Sequence, residues 1–472
     1  MEREYPVVVI GAGISGLVCA YRLKQLGIRA MVLEASARPG GLIATVRRDG
    51  YLFEIGPQGP RFPASIWRIV CELGLEREFV AGDPNAKRYI VRAGKLECAP
   101  FSPGGLISTG LVGIGSKLRI LGEPLGSTRP PETEENVAEF VRRKFGDEVL
   151  DYLVDPIVST VFLGDAEKMG MASAFPALVA WERESGSLAR GAIHSRRRKR
   201  DAARGDTGVE LGGGGKSGEA LKVTDALPSL GSFRDGMATL TDAIAKSLGE
   251  NIRYDATVSA IACDATGDGW ELSLRGGGKI TSEALVAAAP AYTAGELLGA
   301  TAPDLAEELR TIEYAPMRVV TLAYERAQVG HSLEGFGFMV PRKEGMRTIC
   351  TFWNSSLFPD RAPEGKVVIT SFARGDDGGT REVVAENAKM LGIAGEPVES
   401  QIWRDTRAMP QYNVGHAARV ERIESMAQAK RGLHLAGNYL RGRSLGECAE
   451  VAIRVAEAVS AGVSSRNQER TR

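Results

Sequence analysis

The sequence is poor in the residues that build disulfide frameworks and metal centres. Six cysteines (Cys19, Cys71, Cys98, Cys263, Cys350, Cys448) are scattered with no C-x-x-C spacing, and four histidines (His194, His331, His416, His434) form no H-x-x-x-H pair. That usage argues against zinc and disulfide scaffolds and predicts a reducing compartment. Net charge is also absent: 59 basic residues balance 59 acidic ones, which argues against nucleic acid as a partner of the whole chain. No run of 18 apolar residues occurs, so no helix that spans a membrane is expected. The apolar run behind Met1-Glu2-Arg3-Glu4-Tyr5 is too short for a signal peptide. What is abundant is glycine, 57 in 472 residues, roughly 12% against a usual ~7% and without a collagen period. Apolar content of 43% and charged content of 25% fit a folded chain of about three domains or one large interleaved unit.

Part of the glycine excess falls where it has a mechanism. The β-rich run Pro6-Val7-Val8-Val9-Ile10 ends at Gly11-Ala12-Gly13-Ile14-Ser15-Gly16, and a helix-forming stretch follows as far as Gly27. A second strand-like segment, Arg29 to Leu33, ends in Glu34. Gly11 permits the tight turn, Gly13 lets backbone approach a pyrophosphate, and Gly16 lets helix and strand pack closely. The helix N-terminus supplies amide donors, and the acid about 20 residues on accepts ribose hydroxyls. Strand, loop, helix, strand and acid at these spacings predict dinucleotide binding.

Late in the chain, Leu433-His434-Leu435-Ala436-Gly437-Asn438 reads as a strand ending in a turn, followed by a helix from Leu445 to Ala461. Residues 65–80 and 134–194 carry helical periodicity, whereas 254–289 and 317–375 read as strand-rich. Arg196 to Lys222, five adjacent basic residues and then Gly212-Gly213-Gly214-Gly215, reads as a mobile linker: either a solvated loop or a basic arm for anionic lipid.

Beyond Glu34, the Ala35-Ser36-Ala37-Arg38-Pro39-Gly40-Gly41 extension resembles FAD enzymes of the flavin-containing amine oxidase superfamily, which favours FAD over NAD. More particular blocks are D-P-I-V-S-T-V-F-L-G-D from Asp155, E-x-x-x-G-S-L-x-R-G-A-I from Glu182, F-R-D-G-M-A-T-L from Phe233, G-F-G-F-M-V-P-R from Gly335, S-S-L-F-P-D-R-A-P-E-G-K from Ser355 and P-Q-Y-N-V-G-H from Pro410. In that order they resemble the FAD-dependent protoporphyrinogen oxidases.

The resemblance implies an α/β fold: a discontinuous Rossmann-like FAD-binding domain (1–60, 225–300, 416–462), a mixed-sheet substrate domain (61–85, 301–415) and a helical membrane-associating region (86–195). A flexible linker (196–224) and a disordered tail (463–472) complete it. FAD contacts would be Gly11, Ala12, Gly13, Ile14, Ser15, Gly16, Glu34, Ala35, Arg38, Gly41, Leu42, Gly56, Pro57, Gln58, Gly59, Val258, Gly437, Asn438, Ser444 and Leu445, mostly through backbone. Phe336, Met339, Phe352 and Phe372 would wall an apolar slot, with core packing the competing reading, and Arg61 would meet a propionate or else face solvent. The partners implied are a porphyrinogen and dioxygen, with peripheral attachment to the inner face of the cell membrane from the cytoplasm and a homodimer. Hydride transfer to a flavin calls for no acid–base pair, and none is assigned. Gln58, Met339 and Arg443 depart from the usual pattern, and Arg443 beside the flavin would either polarise it or point outward. The substrate stays open between protoporphyrinogen IX and coproporphyrinogen III. An amine oxidase, a desaturase or a non-catalytic FAD-binding protein are the other readings.

Overall fold

Two seven-stranded sheets carry the architecture. The computed structural model describes residues 4–100, 102–126, 131–205, 230–264, 267–375 and 379–471. In the first sheet the strand Tyr5–Ile10 lies parallel between Ala30–Leu33 and Lys279–Ala287. Both faces of this strand are covered, as parallel strands require. Val7 and Val9 point into one apolar cluster with the helices Ile14–Gln25, Ala238–Leu248 and Leu445–Thr471, and Val8 and Ile10 into another with Ala291–Leu298 and Pro303–Arg310. The strand Lys279–Ala287 changes partner along its length. Its first half pairs antiparallel with Trp270–Leu274, and its last three residues pair parallel with Leu433–Leu435.

The second sheet runs Glu399–Pro410, Tyr314–Glu325, Lys366–Ala373, Thr348–Phe352, Gly337–Met339, Arg88–Arg92, Lys95–Cys98. It is antiparallel except where Gly337–Met339 runs parallel to Arg88–Arg92. One face buries Val320, Leu322, Tyr324 and Phe338 beneath the helix Thr380–Leu391. Because registered partners share a face, the opposite face carries Arg88, Met339, Phe352 and Phe372.

Several segments depart from the expected divisions. Phe62, Ile66, Ile69 and Val70 sit in the cofactor-side core, not the substrate side, because this helix face is apolar toward the helix Ile14–Gln25 and the aromatic trio Phe62, Phe79 and Phe233. The helix in that region stops at Glu72, and Phe79–Ala81 is a strand paired with Gly231–Phe233. Residues 88–98 form two strands of the substrate sheet instead of opening the helical region. The helix Pro303–Arg310 belongs to the cofactor-side core rather than to the substrate domain. The helix Leu188–Gly205 takes in the basic run, where Arg198 meets Glu184 at 2.6 Å, so residues 196–205 are helical and not the linker expected there. The Gly212–Gly215 stretch and the rest of residues 206–229 lie outside the described residues. The last helix continues to Thr471 where a disordered tail is expected, because nothing in its sequence breaks it.

The helical region packs Val137, Phe140, Val141, Val158 and Phe162 into its own cluster. Among the described residues no helix is long and apolar enough to cross a membrane.

Candidate active site

Parallel α/β sheets bind ligands outside the carboxyl ends of their strands. At that edge here, Ile10 runs into the Gly11–Gly16 turn, Leu33 into Glu34, and Leu435 into the 436–444 turn. Gly11 has φ +100°, and a Cβ on Gly16 would lie 1.9 Å from the Gly11 carbonyl oxygen, so both positions demand glycine. A Cβ on Gly13 would meet no protein atom within 4 Å. The main chain there therefore opens onto free space at the N-terminus of the helix Ile14–Gln25, a cradle of the shape a pyrophosphate fills.

The second glycine pair completes this cradle. Gly40 donates its N–H to the Ala12 carbonyl at 2.8 Å, and a Cβ on Gly41 (φ +58°) would come within 3.3 Å of the Gly13 Cα. Arg38 holds that turn: its Nη2 donates to the Gly41 carbonyl at 2.8 Å and its Nη1 to those of Pro39 and Ile43. Glu34 accepts the Ala12 N–H through Oε2 at 2.7 Å and the Ser36 N–H and hydroxyl through Oε1. A carboxylate has about four acceptor sites and three are taken, so one remains on Oε2 for a ribose hydroxyl. Ala35 and Gly41 are exposed at this edge, and Val258 buries its side chain beneath it, leaving only main chain for a ligand.

The turn after the strand Tyr51–Glu54 links this cradle to the second sheet. A Cβ on Gly56 would fall 2.4 Å from the Leu42 carbonyl, which fixes Leu42 against the turn. Gln58 is buried; its amide donates to the Glu54 and Gly56 carbonyls, and its Oε1 accepts from Asn354 at 2.5 Å. Its side chain is therefore a tie between domains, and Pro57 and Gly59 keep the main chain at the surface. A Cβ on Gly59 would stand 3.8 Å from Phe336 Cζ. Glu54, which the sequence reading missed, accepts the Met237 N–H at 2.7 Å and the Thr45 hydroxyl at 2.8 Å, and burial pushes its carboxyl pKa up.

At the C-terminal turn, Ser444 caps the helix Leu445–Thr471. Its hydroxyl accepts the Glu447 N–H at 3.2 Å while Glu447 accepts the Ser444 N–H at 3.0 Å, the reciprocal pattern that S-x-x-E announces. Against burial, which would raise it, the Ser444 N–H and hydroxyl and the Arg443 charge hold the Glu447 carboxyl below its usual range. Leu445 is buried, and Gly437 packs so tightly on Tyr439 that a Cβ would lie 2.5 Å from the ring. Arg443 lays its guanidinium 3.6 Å over the Phe162 ring of the helical region, so it does not simply point outward.

Across the gap, Phe336, Phe352 and Phe372 form a row of edge contacts with centroids 5.6 and 5.7 Å apart. All three, like Met339, are only half-buried, whereas neighbouring Phe338 and Trp353 are fully buried. The row is thus a wall, with Met339 and Phe372 also anchored in small clusters. Met339 packs on Ile90, Ala99 and Leu111 together with Tyr152 and Leu153, which sit in a π-helical turn at 150–154. Phe372 packs on Met317, Val319 and Ala408 together with Leu163 and Trp403. Leu163 caps its helix at φ +50°, a strained conformation for a leucine.

Arg88 places its guanidinium 4.6 Å from the Phe336 ring, and exposed Arg61 is close enough for its charge to act on Arg88. Burial and then the Arg61 charge pull the Arg88 pKa below its ordinary value, Asp83 opposing, yet an arginine stays cationic. Only the parallel pairing Gly337↔Arg88 brings these residues together, so no local signal could have found Arg88.

The family profile for flavin containing amine oxidoreductases matches residues 14–460. The chain is 32% identical to the chloroplastic protoporphyrinogen oxidase of Nicotiana tabacum, over 97% of this chain and 86% of that one. It is 27% identical to the coproporphyrinogen III oxidase of Bacillus subtilis, over 94% and 95% of the two chains. A crystal structure from Exiguobacterium sp. 255-15 superposes with a TM-score of 0.77 at 23% identity, covering 98% of this chain and 100% of that one, a likeness of fold. The glycine cradle fits the flavin cofactor that this family carries, and the chain is an FAD-dependent oxidoreductase belonging to the flavin-containing amine oxidoreductases, among the protoporphyrinogen oxidases.

Proposed function

We propose that the enzyme oxidises protoporphyrinogen IX to protoporphyrin IX with dioxygen as the acceptor. Six electrons and six protons leave the substrate in three two-electron rounds, and three dioxygen become three hydrogen peroxide. FAD supplies the two-electron acceptor chemistry. The protein's own contribution is to hold the macrocycle on the Phe336, Phe352 and Phe372 wall, to fix its carboxylates and to keep water away.

The observation that carries this reading is the unlike character of the two ends of the slot. Arg88 lies over Phe336 with the Arg61 charge close to it, whereas Met317, Val319, Ala408 and Leu163 surround Phe372. Protoporphyrinogen IX has the same asymmetry, two propionates on one side and vinyl groups on the other. Coproporphyrinogen III, the second reading favoured by the Bacillus relative's name, would turn two further carboxylates toward the apolar end, where burying an unpaired charge costs several kcal/mol. Anaerobic single-turnover and aerobic steady-state assays with each porphyrinogen, reading porphyrin fluorescence and peroxide, test the proposal. Faster turnover of coproporphyrinogen III would reverse the substrate order, and no porphyrin from either would end the reading.

The same proposal includes peripheral attachment to the inner face of the cell membrane. It is supported by Ile107, Ile114, Leu118, Leu121 and Leu125, all more than half exposed on consecutive short helices between 103 and 125, with Lys117 and Arg119 among them. A surface of this kind marks an interaction site.

A further inference from the structure

Tyr412 and His416 belong to the P-Q-Y-N-V-G-H segment, which the site described above does not use. The Tyr412 hydroxyl donates to the main-chain oxygen of Asn438 at 2.5 Å and accepts the N–H of Gly442 at 3.3 Å. One phenol thus bridges both ends of the turn that joins the strand Leu433–Leu435 to the helix Leu445–Thr471. That turn lies at the cofactor edge of the first sheet: the Cys448 thiol meets the Gly442 carbonyl at 3.4 Å and is also held by the Ser15 hydroxyl of the glycine loop.

The phenol is itself gripped. His416, 1% exposed, stacks on it with centroids 4.3 Å apart at 13° and lies beside the main chain of Tyr439 and Leu440. Phe162 meets the same ring edge-on at 6.4 Å and carries Arg443 of the turn on its face. The turn is therefore held from behind at Asn438, Gly442 and Arg443, by groups from two other parts of the chain.

We propose that Tyr412 is a positioning residue for FAD, its hydroxyl setting the spacing of residues 438–442 so that their main chain meets the flavin in one conformation, with His416 as the platform that orients the phenol. Preorganising a contact loop lowers the ordering cost of binding. The inference rests on the assignment of this turn to the flavin, and not on which porphyrinogen is oxidised.

The test compares holoenzymes of wild type, Tyr412→Phe, His416→Ala and His416→Phe without any porphyrinogen, so a failed substrate assignment cannot enter it. The readouts are FAD dissociation followed by flavin fluorescence, the visible absorption band and the flavin midpoint potential. Tyr412→Phe, which keeps the ring and loses both hydrogen bonds, is expected to release FAD about tenfold more readily, about 1.4 kcal/mol, and to shift the band and the potential. His416→Ala should do the same and His416→Phe should restore the wild-type values. Wild-type FAD affinity, spectrum and potential in Tyr412→Phe overturn the proposal even if the melting temperature falls, because a merely structural role moves only that. If Tyr412→Phe does not fold, the two His416 variants decide: identical flavin readouts from Ala and Phe overturn it.

Discussion

His416 permits a prediction in which the structure supplies the magnitude. Its imidazole is buried against Tyr412, and the charges around it, Arg419 and Arg441, are both positive. Burial first and Arg419 next lower its pKa from 6.5 to about 4, although the main chain at Tyr439 and Leu440 opposes them. A base whose folded-state pKa lies below its unfolded value binds fewer protons when folded. Its contribution is complete above the unfolded pKa near 6.5 and is lost as the pH falls through 6.5 toward 4. The whole window corresponds to about 3 kcal/mol, and most of it is lost by a pH of about 4.5. His416→Phe keeps an aromatic ring on Tyr412 and removes the titrating nitrogens. Urea unfolding of both proteins at equal FAD excess, at about pH 7.5 and about pH 4.5, should show the wild type losing roughly 2–3 kcal/mol more than the variant. Acid curves of the same slope for the two proteins would refute the reasoning, since every other titrating group is common to both.

Three further outcomes are expected. Arg88→Met should raise KM for protoporphyrinogen IX roughly tenfold to a hundredfold by removing a charge-assisted contact, with kcat little changed; an equal effect on the dimethyl ester, measured by porphyrin fluorescence, would show that Arg88 does not meet a carboxylate. Gly16→Ala and Gly13→Ala should separate folding from cofactor binding. The first forces a Cβ to 1.9 Å from the Gly11 oxygen and should lower the melting temperature by several kelvin, at about 1–3 kcal/mol, whereas the second meets no protein atom and should lose flavin on gel filtration while keeping its fold. Replacing Ile114 and Leu118 together with Glu should abolish flotation with anionic liposomes; wild-type protein left at the bottom of the gradient would remove the membrane proposal altogether.

How far the sequence carried these conclusions differs between the two halves of the site. The Gly11–Gly16 cradle, its acid at Glu34 and the pair Gly40–Gly41 are local, because strand, turn and helix succeed one another along the chain and each glycine answers a constraint set by near neighbours. The slot is not local. Phe336, Met339, Phe352 and Phe372 were legible only through the family blocks, and their half-buried state follows from a register that no alternation of apolar residues encodes. Arg88 reaches Phe336 through a parallel pairing across the chain, and Tyr412 reaches Asn438 and Gly442 from a separate segment. The strands at 88–98 fall in a region that the resemblance alone assigns as helical, and Arg88-Tyr89-Ile90-Val91-Arg92 is too short to mark a strand by itself. The last helix outruns the apolar spacing that marks it, because beyond Ala461 its residues are mostly polar and carry no periodic signal.

The strand Lys279–Ala287 changes partner at its middle, and this has a consequence for synthesis. Its outer half is closed at once by the neighbouring hairpin, but Leu285–Ala287 must wait for Leu433–Leu435, a strand far later in the chain. Until then the nascent chain has an open strand edge beside the cradle and no 436–444 turn at all. Cofactor capture is therefore expected to wait for residues 433–444, long after the nucleotide loop at 11–16 has been synthesised.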